Sequence, residues 1–319
     1  MKQVFIILIP VILFSIFLAG GLTENPINNG VKFPQAYTLN DSTAEGAKDV
    51  LQIRSLTATS QNIPSQTPTP TLSPTPSPST SCTPNQKVAI DLILDVSASM
   101  CQPYDNRIMC ESRADSRINK LKSAVISFAS NLRNEDLIGV QSFSGDILGR
   151  PDVENVVGID TWANNRLEFN NKINGLRAEG NTHMKDGFYL ADQLITQAQT
   201  DSRFQNYEWK IIFLSDGVPN DNTDFFRAGP DISQDPTLVA NTLKARNLRI
   251  ITVGLDLTSL ANPAYQYTIP NAQIVKYAGD LLKSISSPEA NNIKNYYESP
   301  TANDLDSIYQ SIIGQIRCP

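Results

Sequence analysis

From residue 88 onward, short apolar runs alternate with longer segments whose apolar positions repeat every three to four residues. Four runs, Val88–Leu94, Leu137–Phe143, Trp209–Leu214 and Leu248–Val253, lack the polar alternation of a half-exposed strand. They read as strands buried on both faces of a parallel sheet. Val153–Ile159 reads as an edge strand beside Leu137–Phe143, and Ile293–Tyr297 as a final strand. Helices are predicted between them. Arg117–Leu132 places Ile118, Leu121, Val125, Phe128 and Leu132 on one face, and Met184–Gln197 does the same with Phe188, Leu190, Ala191 and Leu194. Arg166–Leu176, Thr237–Arg246 and Ala272–Ser284 follow the same logic, and Ala302–Ile316 closes the chain with Leu305, Ile308, Ile312 and Ile316 as its stripe. Each stripe is read as core. Strand–helix alternation of this kind predicts an α/β fold, a doubly wound, mostly parallel sheet flanked by helices.

The pattern stops short of the amino terminus. Residues 1–22 hold one apolar run, Val4 to Leu22, behind Lys2, near the length that spans a bilayer. Ala19-Gly20-Gly21 is a poor small-residue cleavage site, so a cleaved signal peptide and a retained transmembrane anchor both stay open. Either one puts the rest of the chain outside the cytoplasm, at the cell surface or secreted. Residues 23–60 show little periodicity. Residues 61–85 are dominated by Pro, Thr and Ser, a composition that packs no core and extends in polyproline-like form as a stalk of about 70 Å, or simply as a linker. The globular part is therefore predicted to run over residues 86–318.

Candidate chemistry sits at the end of the first run. Val88–Leu94 is followed by Asp95, Ser97 and Ser99 at alternate positions. At the carboxyl end of a strand these side chains would project into the crevice where open α/β sheets hold ligands. A carboxylate and two hydroxyls offer hard oxygen, which suits Mg²⁺, Mn²⁺ or Ca²⁺ and not zinc or copper. Alone, the spacing equally fits a turn or a helix cap. Downstream, however, Gly180-Asn181-Thr182 precedes a helical segment, and Ile211–Ser215 is an apolar strand ending in Asp216-Gly217.

These three pieces, in this order, resemble the von Willebrand factor type A domain and its metal-ion-dependent adhesion site. The resemblance implies that Ser97 and Ser99 ligate a divalent ion through their hydroxyls, that Thr182 does so in the ligand-ready state, and that Asp95 and Asp216 act through water or hydrogen bonds. It also implies a protein partner with an exposed Asp or Glu carboxylate, captured at an open position of Mg²⁺ or Mn²⁺, with Ca²⁺ also admitted. Ala98 stands where the family commonly has Gly, and His183 where it commonly has Asn. The second departure bears on the rim chemistry.

Net charge is −6, from 26 Lys+Arg against 32 Asp+Glu, and no basic run occurs, which excludes a nucleic-acid surface. Four cysteines, Cys82, Cys101, Cys110 and Cys318, allow three pairings. Their positions favour Cys82–Cys318 across the ends of the globular part and Cys101–Cys110 across one loop. The loop-entropy account gives these about 5 and about 3 kcal/mol. No Cys-x-x-Cys spacing supports zinc, and export favours oxidation. His183 is the single histidine and reads as a rim or structural residue. No nucleophile-elbow, zincin or phosphate-loop pattern occurs, so no enzyme is expected. Two functions remain: a surface-displayed binding module, or a structural part of a pilus or secretion assembly.

Overall fold

The computed structural model describes residues 86–102, 110, 112–145, 151–221, 230–261, 269–289 and 293–317. The expectations for residues 1–85 and for the Cys82–Cys318 pairing lie outside the described residues. Among those described, no helix is long and apolar enough to cross a membrane.

Six strands form one sheet: β1 (Val88–Asp95), β2 (Leu137–Phe143), β3 (Val153–Thr161), β4 (Glu208–Ser215), β5 (Arg249–Leu255) and β6 (Tyr296–Ser299). Their order is β3-β2-β1-β4-β5-β6. All neighbours are parallel except β2 and β3. Among the described residues six helices flank it: α1 (Arg117–Ala129), α2 (Trp162–Asn174), α3 (Met184–Thr200), α4 (Thr237–Ala245), α5 (Asn271–Ile285) and α6 (Leu305–Arg317).

The pleat of β1 explains the layering. Val88, Ile90, Leu92 and Leu94 join one core with Leu121, Val125 and Phe128 of α1 and Tyr309 and Ile312 of α6. Ala89 and Ile93 face the other core, with Phe188 and Ile195 of α3 and Leu243 of α4. Alternate residues thus feed two hydrophobic layers, which is why no polar alternation is visible in the strand.

Several boundaries differ from the periodicity. The α2 helix starts at Trp162 instead of Arg166, because Trp162 N–H bonds the Asp136 carbonyl and its ring packs edge-on against Phe169. In α3 the buried stripe is Met184, Phe188, Ala191, Ile195 and Ala198, whereas Leu190 and Leu194 are only partly covered. The predicted strand at Ile293–Tyr297 forms at Tyr296–Ser299. Its register is set by pairing with Thr252–Leu255 at the carboxyl end of β5. The α6 stripe is anchored by Leu305, Tyr309, Ile312 and Ile316, with Ile308 at its margin. The first turn at Ala302–Asp304 is 3-10, closed by a Thr301/Asp304 capping box.

Ionisable side chains also lie inside the sheet, Asp91 of β1 and Lys210 of β4 among them. Asp91, in the middle of β1, is fully buried and accepts a hydrogen bond from Gln141 Nε2 at 2.6 Å. Burial pushes its carboxyl up to about 8, against the opposing effect of that hydrogen bond. An acid whose folded-state value is raised stabilises the fold fully below its unfolded value, and the contribution is lost as pH climbs through the folded value. The ion-free protein is therefore expected to lose on the order of several kcal/mol between about pH 4 and pH 8. Asp91→Asn should flatten this slope in thermal melts taken across that range. An unchanged slope would mean that Asp91 is not the buried proton carrier.

Candidate metal centre

The sheet order reverses between β1 and β4, so a crevice opens at the carboxyl ends of these two strands. Asp95 ends β1, and Asp216 follows the last residue of β4. Both are fully buried. The turn after β1 is tightened by the Ser97 N–H donating to Asp95 Oδ1 at 2.8 Å, which carries the chain into the short 3-10 turn Ala98–Cys101. Ser215 Oγ donates to Asp95 Oδ2 at 2.6 Å. Ser97 Oγ and Ser99 Oγ lie 3.0 Å apart, and Ser99 Oγ donates to Asp216 Oδ1 at 2.7 Å.

Thr182 reaches this group through the backbone. Ala98 N–H bonds the carbonyl of Gly180 at 3.0 Å, which seats the loop before α3 against the serines. Gly180 takes φ 79°, a region that favours glycine. Thr182 and Asn220 exchange both backbone hydrogen bonds at 3.0 Å, clamping that loop to the one after Asp216. Four of the predicted residues, Asp95, Ser97, Ser99 and Asp216, are thus linked by side-chain or turn hydrogen bonds. Thr182 is buried and held beside them by main chain.

Burial and then the charge of Asp216 push the Asp95 carboxyl up to about 7, although hydrogen bonds from Ser215 and Ser97 pull the other way. A buried acid whose ionisation is disfavoured by burial and by a neighbouring carboxylate leaves room at the site for added positive charge. With three hydroxyls at hand the donor set is all oxygen, which fits a hard divalent cation.

A family model for the von Willebrand factor type A domain matches residues 90–311. The chain belongs to that family. Among solved structures, the pilus adhesin SpaC of Lactobacillus rhamnosus GG superposes with a TM-score of 0.54 at 16% identity, over 72% of this chain and 30% of that one. Proximal thread matrix protein 1 of the mussel byssus gives a TM-score of 0.48 at 15% identity, over 73% of this chain and 48% of that one. The chain therefore spans half or less of the length of these two relatives, and at such identity the likeness concerns the fold. A search of curated proteins finds no match.

Around the centre of this A-type domain lie residues that the motif does not name. Arg117, the first residue of α1 and 5% exposed, donates to Asp216 Oδ2 at 2.6 Å and to Asp256 Oδ2 at 2.5 Å. Asp256 follows the last residue of β5. Two sequence signals mark them. An arginine opening a helix sits at the wrong end of the helix dipole unless carboxylates receive it. The apolar-strand-then-aspartate pattern of Asp95 and Asp216 also repeats at Leu255-Asp256.

His183, read as a rim or structural residue, is 4% exposed, so its place is structural. Its Nε2 is 2.8 Å from Asp221 Oδ1, and its Nδ1 is 3.5 Å from a carboxylate oxygen of each of Asp152 and Asp186. Burial disfavours the imidazolium, but the Asp186 hydrogen bond and the charges of Asp152 and Asp221 outweigh it and raise the imidazole to about 8. At neutral pH His183 is itself the cation among these carboxylates. A Cβ on Gly145 would stand 2.4 Å from its ring, so the loop after β2 needs glycine there.

Cys101 is joined to Cys110, with Cα atoms 5.1 Å apart, as the loop spacing predicts. This bridge ties the 3-10 turn bearing Ser99 to the segment that leads into α1.

Proposed function

We propose that the domain is an extracytoplasmic, metal-dependent protein-binding module of adhesion type. The observation carrying this reading is the pair of buried carboxylates, Asp95 and Asp216, bracketed by Ser97, Ser99 and Thr182 at the crevice where the sheet order reverses. A divalent ion, Mg²⁺ or Mn²⁺ with Ca²⁺ also admitted, supplies there a positive centre with a position open to a partner's Asp or Glu carboxylate. Ser97, Ser99 and Thr182 offer neutral oxygen, so little of the ion's charge is cancelled by direct ligands. Asp95 and Asp216 hold the hydroxyls in place through the turn and the Ser99 bond. The Thr182–Asn220 clamp keeps the threonine loop in register with the strand ends. The reading contains no catalytic step.

A second reading, a structural or assembly component of a pilus or secretion apparatus, keeps the same centre. It is retained because the fold is shared with SpaC, a pilus adhesin. The amino-terminal hydrophobic segment suits both: cleaved, it releases the protein; retained, it holds it at a membrane.

The test is elution. A partner captured in Mg²⁺ is expected to leave with a chelator at neutral pH and to return when Mg²⁺ is restored. It should resist moderate salt, because a metal–carboxylate bond is screened far less than a surface ion pair. Thr182→Ala should weaken capture about tenfold or more while leaving the melting temperature nearly unchanged. A partner that stays bound in excess chelator and tolerates Thr182→Ala is held by another surface, and the adhesion reading fails.

A further inference from the structure

We propose that Arg117 is a positioning residue that governs how much negative charge Asp216 lends to the cation, and so trades ion affinity against affinity for an acidic partner. The proposal rests on the ion-site reading above and adds a residue to it.

Burying a guanidinium is unfavourable unless its donors are satisfied, and the first turn of a helix is a poor place for a cation. Arg117 opens α1 and is nevertheless buried, and its partners explain why. One terminal nitrogen bonds Asp216 Oδ2 at 2.6 Å and approaches the Ser99 carbonyl at 3.4 Å. The other bonds Asp256 Oδ2 at 2.5 Å and Ser259 Oγ at 2.6 Å. The guanidinium therefore bridges the ends of β4 and β5 directly behind the centre. Asp256 is set for this role by a left-handed backbone at φ 47°, a conformation that aspartate tolerates better than most residues.

The two oxygens of Asp216 have separate duties. Oδ1 receives the hydroxyl of Ser99, and Oδ2 is held by Arg117. This fixes the rotation of the carboxylate and cancels part of its charge before any cation arrives. Cation affinity in oxygen sites rises with the number of uncompensated ligand charges. Arg117 thus weakens the hold on the ion and leaves more of the ion's charge for an incoming carboxylate. An arginine serving only as a strut predicts the opposite sign: its removal would loosen Asp216 and weaken ion binding.

The experiment uses the full chain with Mn²⁺ alone as the probe, followed by acetate titrated into the Mn²⁺-loaded protein. Affinity is read by calorimetry, and access to the ion by water-proton relaxation. Arg117→Met, which removes the charge but keeps much of the length, is expected to bind Mn²⁺ about tenfold more tightly and acetate more weakly. Arg117→Lys keeps the charge but cannot span both carboxylates, so it should fall between the parent and Arg117→Met in both. Equal or weaker Mn²⁺ binding by Arg117→Met overturns the proposal. Should that variant fail to fold, Asp256→Asn decides, since Asp256 is more exposed and its loss leaves the guanidinium charge less compensated. Its Mn²⁺ affinity is expected to fall about threefold, and no change overturns the proposal. A parent protein that binds no Mn²⁺ overturns the ion-site reading and this one with it. A binding parent with unmoved variants overturns this one alone.

Discussion

Asp95→Ala is expected to abolish divalent-cation binding, lowering Mg²⁺ or Mn²⁺ affinity on the order of a hundredfold or more, while the melting temperature stays near that of the parent. The two halves of this expectation come from the same surroundings. Asp95 is fully buried beside Asp216, so its charge is tolerated only when a cation compensates it. Alanine deletes that charge, and the remaining carboxylate, Asp216, is already partly compensated by Arg117. The Ser97 N–H and Ser215 Oγ lose an acceptor, which is unfavourable, but a buried like-charge repulsion disappears as well. The two effects on stability oppose one another, and the effect on binding has no such offset. Calorimetry with Mg²⁺ and Mn²⁺, beside a thermal melt in chelator, separates them. Unchanged affinity in the variant would remove Asp95 from the site.

Phe213→Ala should have the largest effect on stability, about 3–5 kcal/mol. Phe213 lies on β4 and is fully buried. Its ring stacks on Phe143 of β2 with centroids 5.4 Å apart, and meets the tilted ring of Phe188 of α3 at 4.8 Å. The trio fills the layer between the sheet and α3 directly beneath the centre, since Ser215 and Asp216 follow two and three residues later. Truncation leaves a cavity that neither a strand nor a ring can close without moving the other rings. Denaturant unfolding with an unchanged slope and a lowered midpoint would show it. A loss below about 1 kcal/mol would mean that the ring stack is not a determinant of the fold.

Strand identity was legible because four strands are buried on both faces, so their apolar runs are unbroken. Ile211–Leu214 and Ile250–Val253 needed no periodicity argument. The α2 start at Trp162 was not legible, because it depends on a main-chain bond to Asp136 across the chain. The final strand slipped because β6 is chosen by its partner β5 and not by its own short sequence. In the centre, Asp95, Ser97, Ser99, Thr182 and Asp216 could be named from three short motifs. Arg117 and Asp256 carry fainter signals, an arginine at a helix start and a strand ending in aspartate, but that one guanidinium joins two strand ends is a relation sequence spacing does not express. His183 was read as a rim or structural residue, and the sequence alone did not choose between the two. Its burial follows from Asp152, Asp186 and Asp221, which arrive from three separate segments.

The margins of the sheet carry a consequence for crowding. On one side β3 pairs antiparallel with two register shifts and carries Glu154 and Asp160; on the other β6 contributes only four residues. Irregular, charged or very short margins resist the templating of further strands. Many copies brought to high local concentration would therefore not fuse sheet to sheet through main-chain pairing.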